Sequence, residues 1–392
     1  MSMKSKQRPA PVGSPLFAAR VVVVLTVLSL LAPSLPAIDQ TSRPPEHGSG
    51  VNYAHYDIEA MPWSIHVLKL DRTRAEFRFE TTLGQSNQLG MAVVSEQVKM
   101  LPPALGRPIA AVNGDFYKSA SKYPGDPEGL QIIRGELVSG PSSTRSCFWI
   151  DPAGQPHHSN VLSRFTATLP DGKAVPFGLN EERPNDDFVL YTGANGASTR
   201  TSGGVELILT HGAETNWLPL RIGQTITATV RQVRSGGDAP LMRDTLVLSA
   251  GSKVAPLLAG VKPGDKVKLS TATTPTLTGC NLALGGGPAL VRNGQPVAFK
   301  GIQPRHPRVA LGWNKDSYFL VEVDGRQKNS VGMSFPELVT YMIQLGCTEA
   351  INLDGGGSAT MWVYGNVMNS PSEGHERPAA NALIVVRKDL PK

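Results

Sequence analysis

Apolar residues along this chain come mostly in short runs closed by Gly, Pro or Asn, and twice at the i, i+3, i+4 spacing of an amphipathic helix. Residues 65–70 and 75–79 read as strands around a polar turn. Met91, Val94, Val98 and Leu101 share one helical face, and Pro102 and Pro103 stop that helix. Residues 108–112 form a short apolar strand running into Asn113-Gly114-Asp115. From about 146 to 280 the chain is a succession of short strands, among them 205–210, 225–233 and 266–269. Lys262-Pro263-Gly264-Asp265 is a turn with a physical cause: Pro presets φ and Gly accepts a positive φ. Near the C-terminus, Ser334 and Glu337 make a capping box before the apolar face of Leu338, Val339, Met342, Ile343 and Leu345, and Gly346 ends the helix. Strands at 318–323 and 350–353 flank it, a βαβ unit if both lie in one sheet. A last strand covers 383–386. The pattern predicts an α+β fold: a mixed, sheet-rich single domain with a βαβ element near the C-terminus and a β-rich middle insertion.

The N-terminus adds a separate expectation. Lys4, Lys6, Arg8 and Arg20 precede an apolar run at 21–31, and Pro33, Pro36 and Ala37 follow it. The run is shorter than the roughly 20 residues that span a bilayer, so residues 1–37 read as an export signal, with a Pro/Ser/Gly linker at 38–52. The expected location is periplasmic or secreted, with no stable membrane insertion after signal cleavage. Without those four basic residues the formal charge of +6 falls to +2, too balanced for a nucleic-acid footprint. Gly 40 and Pro 32 fit a turn-rich sheet protein. Cys147, Cys280 and Cys347 could form one disulfide, or all stay buried thiols.

Chemistry collects where apolar strands stop. Asp115, Asp324 and Asp354 each follow such a strand, and ligands bind at strand C-termini because the loops diverge there. If the three strands are parallel, the three acids share one edge. Gly355, Gly356 and Gly357 can bring backbone N–H groups close to an anion, and Ser358 adds a hydroxyl. Gly285-Gly286-Gly287-Pro288 is a second glycine cluster. Arg305-His306-Pro307-Arg308 and Glu376-Arg377 supply guanidinium groups suited to phosphate, and one more acid. Asp354 could instead cap its own glycine loop. Nucleotide-loop, zinc-protease and serine-elbow motifs are missing, and the histidines do not cluster at metal spacing. No cofactor and no metal are expected.

These residues fall into the motif order of a known family. Asn113-Gly114-Asp115-Phe116-Tyr117, Gly285-Gly286-Gly287-Pro288, the run His306-Pro307-Arg308-Val309-Ala310-Leu311-Gly312, Val323-Asp324-Gly325-Arg326 and Asn352-Leu353-Asp354-Gly355-Gly356-Gly357-Ser358 follow one another as in that family, and Glu376-Arg377 and Asn381-Ala382-Leu383 match its end. The chain resembles the phosphodiester glycosidase family over residues 107–387, with 53–106 as the N-terminal part of the same catalytic domain. It departs at Asp115, where glycine is common, and at Val309, where threonine is common. The resemblance implies hydrolysis of a glycosidic bond to phosphate in a sugar 1-phosphodiester or related glycan. Bacterial relatives of this kind are often associated with exopolysaccharide. Asp354 is then the principal carboxylate, with Asp324 or Glu376 as partner and Asp115 as a further candidate. Asn113, His306, Arg308, Asn352, Gly355, Gly356, Gly357, Ser358 and Arg377 are the substrate-binding candidates, with Arg308 and Arg377 on the phosphate. Two alternatives stay open: a non-catalytic polysaccharide-binding protein of exopolysaccharide export, with Trp313, Trp362 and Tyr364 as stacking surfaces, and a glycosidase without phosphate preference.

Overall fold

A computed structural model describes residues 39–40, 50–119, 123–212 and 217–389. The expected export signal, and all of the linker except its two ends, lie outside the described residues. In chain order, the elements framing the strand ends are β1 (Val51–Ile58), β2 (Trp63–Asp71), β3 (Phe77–Thr81), α1 (Val94–Lys99), β4 (Arg107–Asn113), β5 (Gln131–Ile133), β6 (Ser146–Ile150), β7 (Leu282–Gly285), β8 (Ala289–Arg292), β9 (Arg308–Trp313), β10 (Ser317–Val323), α2 (Phe335–Gln344), β11 (Glu349–Asn352), β12 (Met361–Val363) and β13 (Ala382–Arg387).

Two antiparallel sheets pack face to face. In the first the order is β1-β2-β10-β9-β11-β8, and in the second β12-β4-β13-β3. Alternation along each strand sends one set of side chains inward. Leu68, Leu70, Val309, Leu311, Leu320 and Ile351 thereby meet Phe79, Ile109, Val112, Met361, Leu383 and Val385 in one buried cluster. Each such aliphatic side chain contributes about 1.5–3 kcal/mol on leaving water. One helix covers each outer face. Val94 and Val98 of α1, with Leu101 just beyond its end, pack on Ala111, Trp362, Ile384 and Val386. On the other side, the side-chain position that Gly312 leaves bare is taken by Met342 of α2 and by Cys347.

The expected βαβ unit is present in modified form. β10 and β11 lie in one sheet and run parallel, but they do not pair, because β9 sits between them and is antiparallel to both. The cause is a tight hairpin: Asn314 Oδ1 accepts the N–H groups of Asp316 and Ser317 at 3.0 and 2.9 Å, which folds β9 onto β10 before α2 carries the chain back. The capping box on α2 is as expected, with Ser334 N–H donating to Glu337 Oε2 at 2.8 Å. Helix α1 is shorter than its apolar spacing predicts. Ala92 exchanges backbone hydrogen bonds with Ala379 at 3.2 and 2.9 Å, which holds the residues before Val94 extended.

The β-rich insertion forms its own eight-stranded sheet, including Val205–His211, Thr225–Ser235 and Lys266–Thr274. Its core is continuous with β5, β6 and β7 through Ile132, Cys147, Trp149 and Ala283. In the turn before it closes, Gly264 has φ of 94° and Asp265 N–H reaches Lys262 O at 3.1 Å. All three cysteines are free and buried. Trp313 and Trp362 are core residues, at 4% and 9% exposure, whereas Tyr364 is exposed. Among the described residues no helix is long and apolar enough to cross a membrane.

Candidate functional site

The ends of β4 and β11 belong to different sheets, so the three-parallel-strand edge expected from sequence does not exist. Side-chain amides join these ends instead. Asn113 Nδ2 donates to Asp354 O at 2.7 Å, its Oδ1 accepts Thr360 N–H at 3.0 Å, and Asp354 N–H reaches Gly114 O at 2.8 Å. Asn381, just before β13, accepts Asp115 N–H at 2.8 Å and donates to Gln131 Oε1 at 3.0 Å. Asn352 donates to Gly287 O at 3.0 Å and ties the second glycine loop to β11. All three asparagines are fully or almost fully buried; Asn113 and Asn381 use both ends of their amides to position the loops, whereas Asn352 Oδ1 has no hydrogen-bond partner among the described residues.

Asp354 and Asp115 come out side by side. The Asp115 carboxylate is enclosed: Oδ1 accepts Phe116 N–H at 2.8 Å and Oδ2 accepts Gly129 N–H at 2.7 Å. A Cβ on Gly285 would collide with this carboxylate, which is the physical reason for glycine there. Burial pushes the Asp115 pKa up to about 8; the two N–H groups and Arg145 oppose the rise, and Asp354 adds to it. Burial also raises Asp354, against the pull of Ser358, Arg377, the Gly355 N–H and Arg145. Arg377 Nη2 donates to Ser358 Oγ at 2.7 Å, so the hydroxyl bridges guanidinium and acid. Arg145 stacks 4.1 Å over the Phe116 ring and pairs with Glu128 at 2.7 Å, and from there its charge still pulls on both acids. Arg326 lies over the glycine turn, with Nη2 3.0 Å from where a Gly356 side chain would begin. Glu373 closes the same turn, 3.3 Å from Arg377 Nη1.

Other expected residues go elsewhere. Arg308 donates to the carbonyls of Met333 and Pro304, both at 2.9 Å, and its guanidinium lies 4.0 Å over Phe335 at the start of α2. Burial and Arg326 lower its pKa to about 10. Glu376 receives Ser95 N–H at 3.0 Å and Ser95 Oγ–H at 2.5 Å, which caps the first turn of α1. Asp324 lies in a buried group with His66 and Glu322. There, burial and then Asp324 raise Glu322 well above the usual carboxylate range. His306 is half-buried, 3.4 Å from Arg326 Nη2. Gly355 N–H turns back to Asp354 Oδ1 at 2.9 Å and Gly356 N–H to Pro307 O at 2.9 Å, so two of the three glycine donors are already used. Sequence reading missed Arg145, Arg326 and Glu373. Arg326 directly follows the Asp324-Gly325 strand end and was within reach of that signal; Arg145 stands alone in a polar loop and carried none.

Residues 224–386 match the family model of phosphodiester glycosidase. The chain carries a phosphodiester glycosidase family domain. Over 99 residues it is 32% identical to the SPbeta prophage-derived uncharacterized protein YomE of Bacillus subtilis strain 168, a stretch covering 25% of this chain and 15% of that protein. The crystal structure of a hypothetical protein from Synechocystis superposes with a TM-score of 0.71 at 18% identity, covering 90% of this chain and 64% of the other. A provisionally named exported protein of Burkholderia pseudomallei K96243 superposes with a TM-score of 0.63 at 23% identity, covering 86% of this chain and 75% of that one. The chain thus spans less than two thirds of YomE and of the Synechocystis protein. At these identities the two structures show a shared fold alone.

Proposed function

We propose that this chain is a hydrolase that cleaves the glycosidic bond to phosphate in a sugar 1-phosphodiester or a related glycan. The observation that carries this reading is the buried Asp354 carboxylate joined to Arg377 through Ser358, with Arg145 adding a weaker pull. Cleavage at an anomeric carbon builds oxocarbenium-like positive charge, which a neighbouring carboxylate stabilises. The departing phosphate is a good leaving group and calls for cations more than for a strong acid. Asp354 is the group for the sugar side. Arg145, Arg377 and the Gly357 end of the turn are the groups for the phosphate side. Asp115, enclosed behind Asp354, holds the Phe116 and Gly129 backbone and keeps a second acid, largely protonated at neutral pH, next to the first. Arg326, His306 and Glu373 rim the same turn and are placed to select the sugar or aglycone.

The substrate side is a glycan or sugar phosphate, with no role for nucleic acid, and the working location is the periplasm or the exterior. The structural likeness to a provisionally named exported protein and the apolar run at 21–31 both favour export. The test is hydrolysis by the purified chain of a chromogenic sugar phosphodiester against the matching aryl glycoside. Preferential release from the phosphodiester supports the proposal. Equal rates would make it a glycosidase without phosphate preference, and tight glycan binding without release would make it a binding protein.

A further inference from the structure

We propose that His66, Glu322 and Asp324 form a binding site for one divalent transition cation such as zinc or manganese. The three come together by register. Glu322 lies directly opposite His66 across the β10–β2 ladder, and Asp324, two residues on, falls on the same face. One ligand atom of each lies within 4.8 Å of the others, and the three residues are 3%, 0% and 2% exposed.

The unmet polar groups point to a ligand. His66 Nε2 and both Glu322 oxygens are buried, with no hydrogen-bond partner of normal geometry among the described residues. Asn369 stands near Glu322, but its Nδ2 is directed to Ala359 O at 3.1 Å and Asp324 Oδ1 at 3.4 Å. Neither carboxylate is paired with lysine or arginine among the described residues. Two buried carboxylates without a compensating cation are strongly disfavoured. The neighbours also leave the ligating atoms turned inward. Tyr53 Oη holds His66 Nδ1 at 2.8 Å, which aims Nε2 at the acids in the way an outer partner orients a ligating histidine. Ser370 N–H takes Asp324 Oδ1 at 2.9 Å, leaving Oδ2 for the cluster.

Distance and donor type favour an ion over a direct bond. His66 Nε2 and Asp324 Oδ2 are 3.6 Å apart, too long for a hydrogen bond. Two ligands about 2.1 Å from a shared ion at tetrahedral to trigonal angles stand roughly 3.3–3.6 Å apart. An imidazole with two carboxylates suits zinc, manganese or iron, whereas calcium and magnesium take oxygen alone. His55 stacks on His66 with ring centroids 4.3 Å apart and is partly exposed, so it marks a way in from solvent. Remaining coordination positions fall to water. The spacing of histidines along the sequence gave no metal motif because the ligands are separated by some 250 residues and meet only across the sheet.

The test uses the full chain, produced in metal-depleted medium and then given zinc or manganese. After gel filtration the wild type should retain about one equivalent, with a raised melting temperature. Glu322→Gln should lower retention by roughly tenfold or more and abolish the melting shift. It should melt without metal at least as high as the metal-free wild type, because a neutral amide replaces an uncompensated acid. A wild type that retains neither metal, or a Glu322→Gln variant that retains as much as wild type, overturns the site. Should that variant not fold, crystals grown with zinc decide: an anomalous peak between His66, Glu322 and Asp324 supports the proposal, and no peak there overturns it.

Discussion

Asp354 Oδ1 accepts the Gly355 N–H at 2.9 Å, a bond that an asparagine oxygen makes equally well. Asp354→Asn therefore keeps the turn and removes the charge. Turnover of a sugar phosphodiester should fall at least about 10³-fold, while the melting temperature stays within a few degrees; a near wild-type rate would remove Asp354 from the chemistry. Asp115 gives a stability prediction of definite sign. Its folded pKa of about 8 stands above the unfolded value, so the folded chain binds the extra proton, and the stabilisation is fully present below about pH 4 and lost as pH rises toward 8. The melting temperature of wild type minus that of Asp115→Asn should be largest near the acid end and shrink across this window. A difference that grows with pH would mean that the carboxylate is ionised in the fold. Asp354, Ser358 and Arg377 were legible in the sequence because they sit at or beside strand ends and glycine turns. Arg308 was not: a basic residue next to a proline reads as a phosphate ligand, yet it opens β9 on the face covered by α2 and spends its donors on carbonyls there.

Among the elements, α2 was the best legible, because its boundaries are written locally in Ser334, Glu337 and Gly346. Ser334→Ala removes the hydroxyl that accepts Glu337 N–H and holds Glu337 Oε2 at 2.8 Å. The expected cost is about 1 kcal/mol, read as a drop of a few degrees in melting temperature, with Ser334→Asp restoring most of it. An unchanged melting temperature in Ser334→Ala would mean that packing on the sheet alone fixes the start of α2. Strand neighbours were harder to read. The run 318–323 reads as a strand, but nothing local says that it is flanked by β2 on one side and by β9 on the other. The Asn314 hairpin decides the second neighbour, and its asparagine could have been read as a turn former.

For the whole molecule, the order of motifs was visible in the sequence, whereas the sheet order was not, because pairing between distant strands depends on which apolar faces find each other. The consequence concerns the 224–386 segment that matches the family model. Within it, β10 depends on β2, with Leu320 opposite Leu68 and Val321 opposite Val67. β13 lies between β4 and β3, with Leu383 opposite both Val112 and Thr81. Strand Thr225–Ser235 pairs with Val205–His211, which the segment also lacks. Excision would leave the two central strands with bare edges and more than a third of the inter-sheet core missing, and would remove Asp115 and Arg145 from the site. We predict that residues 224–386 alone show no cooperative thermal transition and no hydrolysis, whereas residues 50–389 melt cooperatively. Circular dichroism melts of the two purified fragments check this. A cooperative melt of the shorter piece would mean that its strands find other partners, and that the first hundred and more residues decorate the fold instead of completing it.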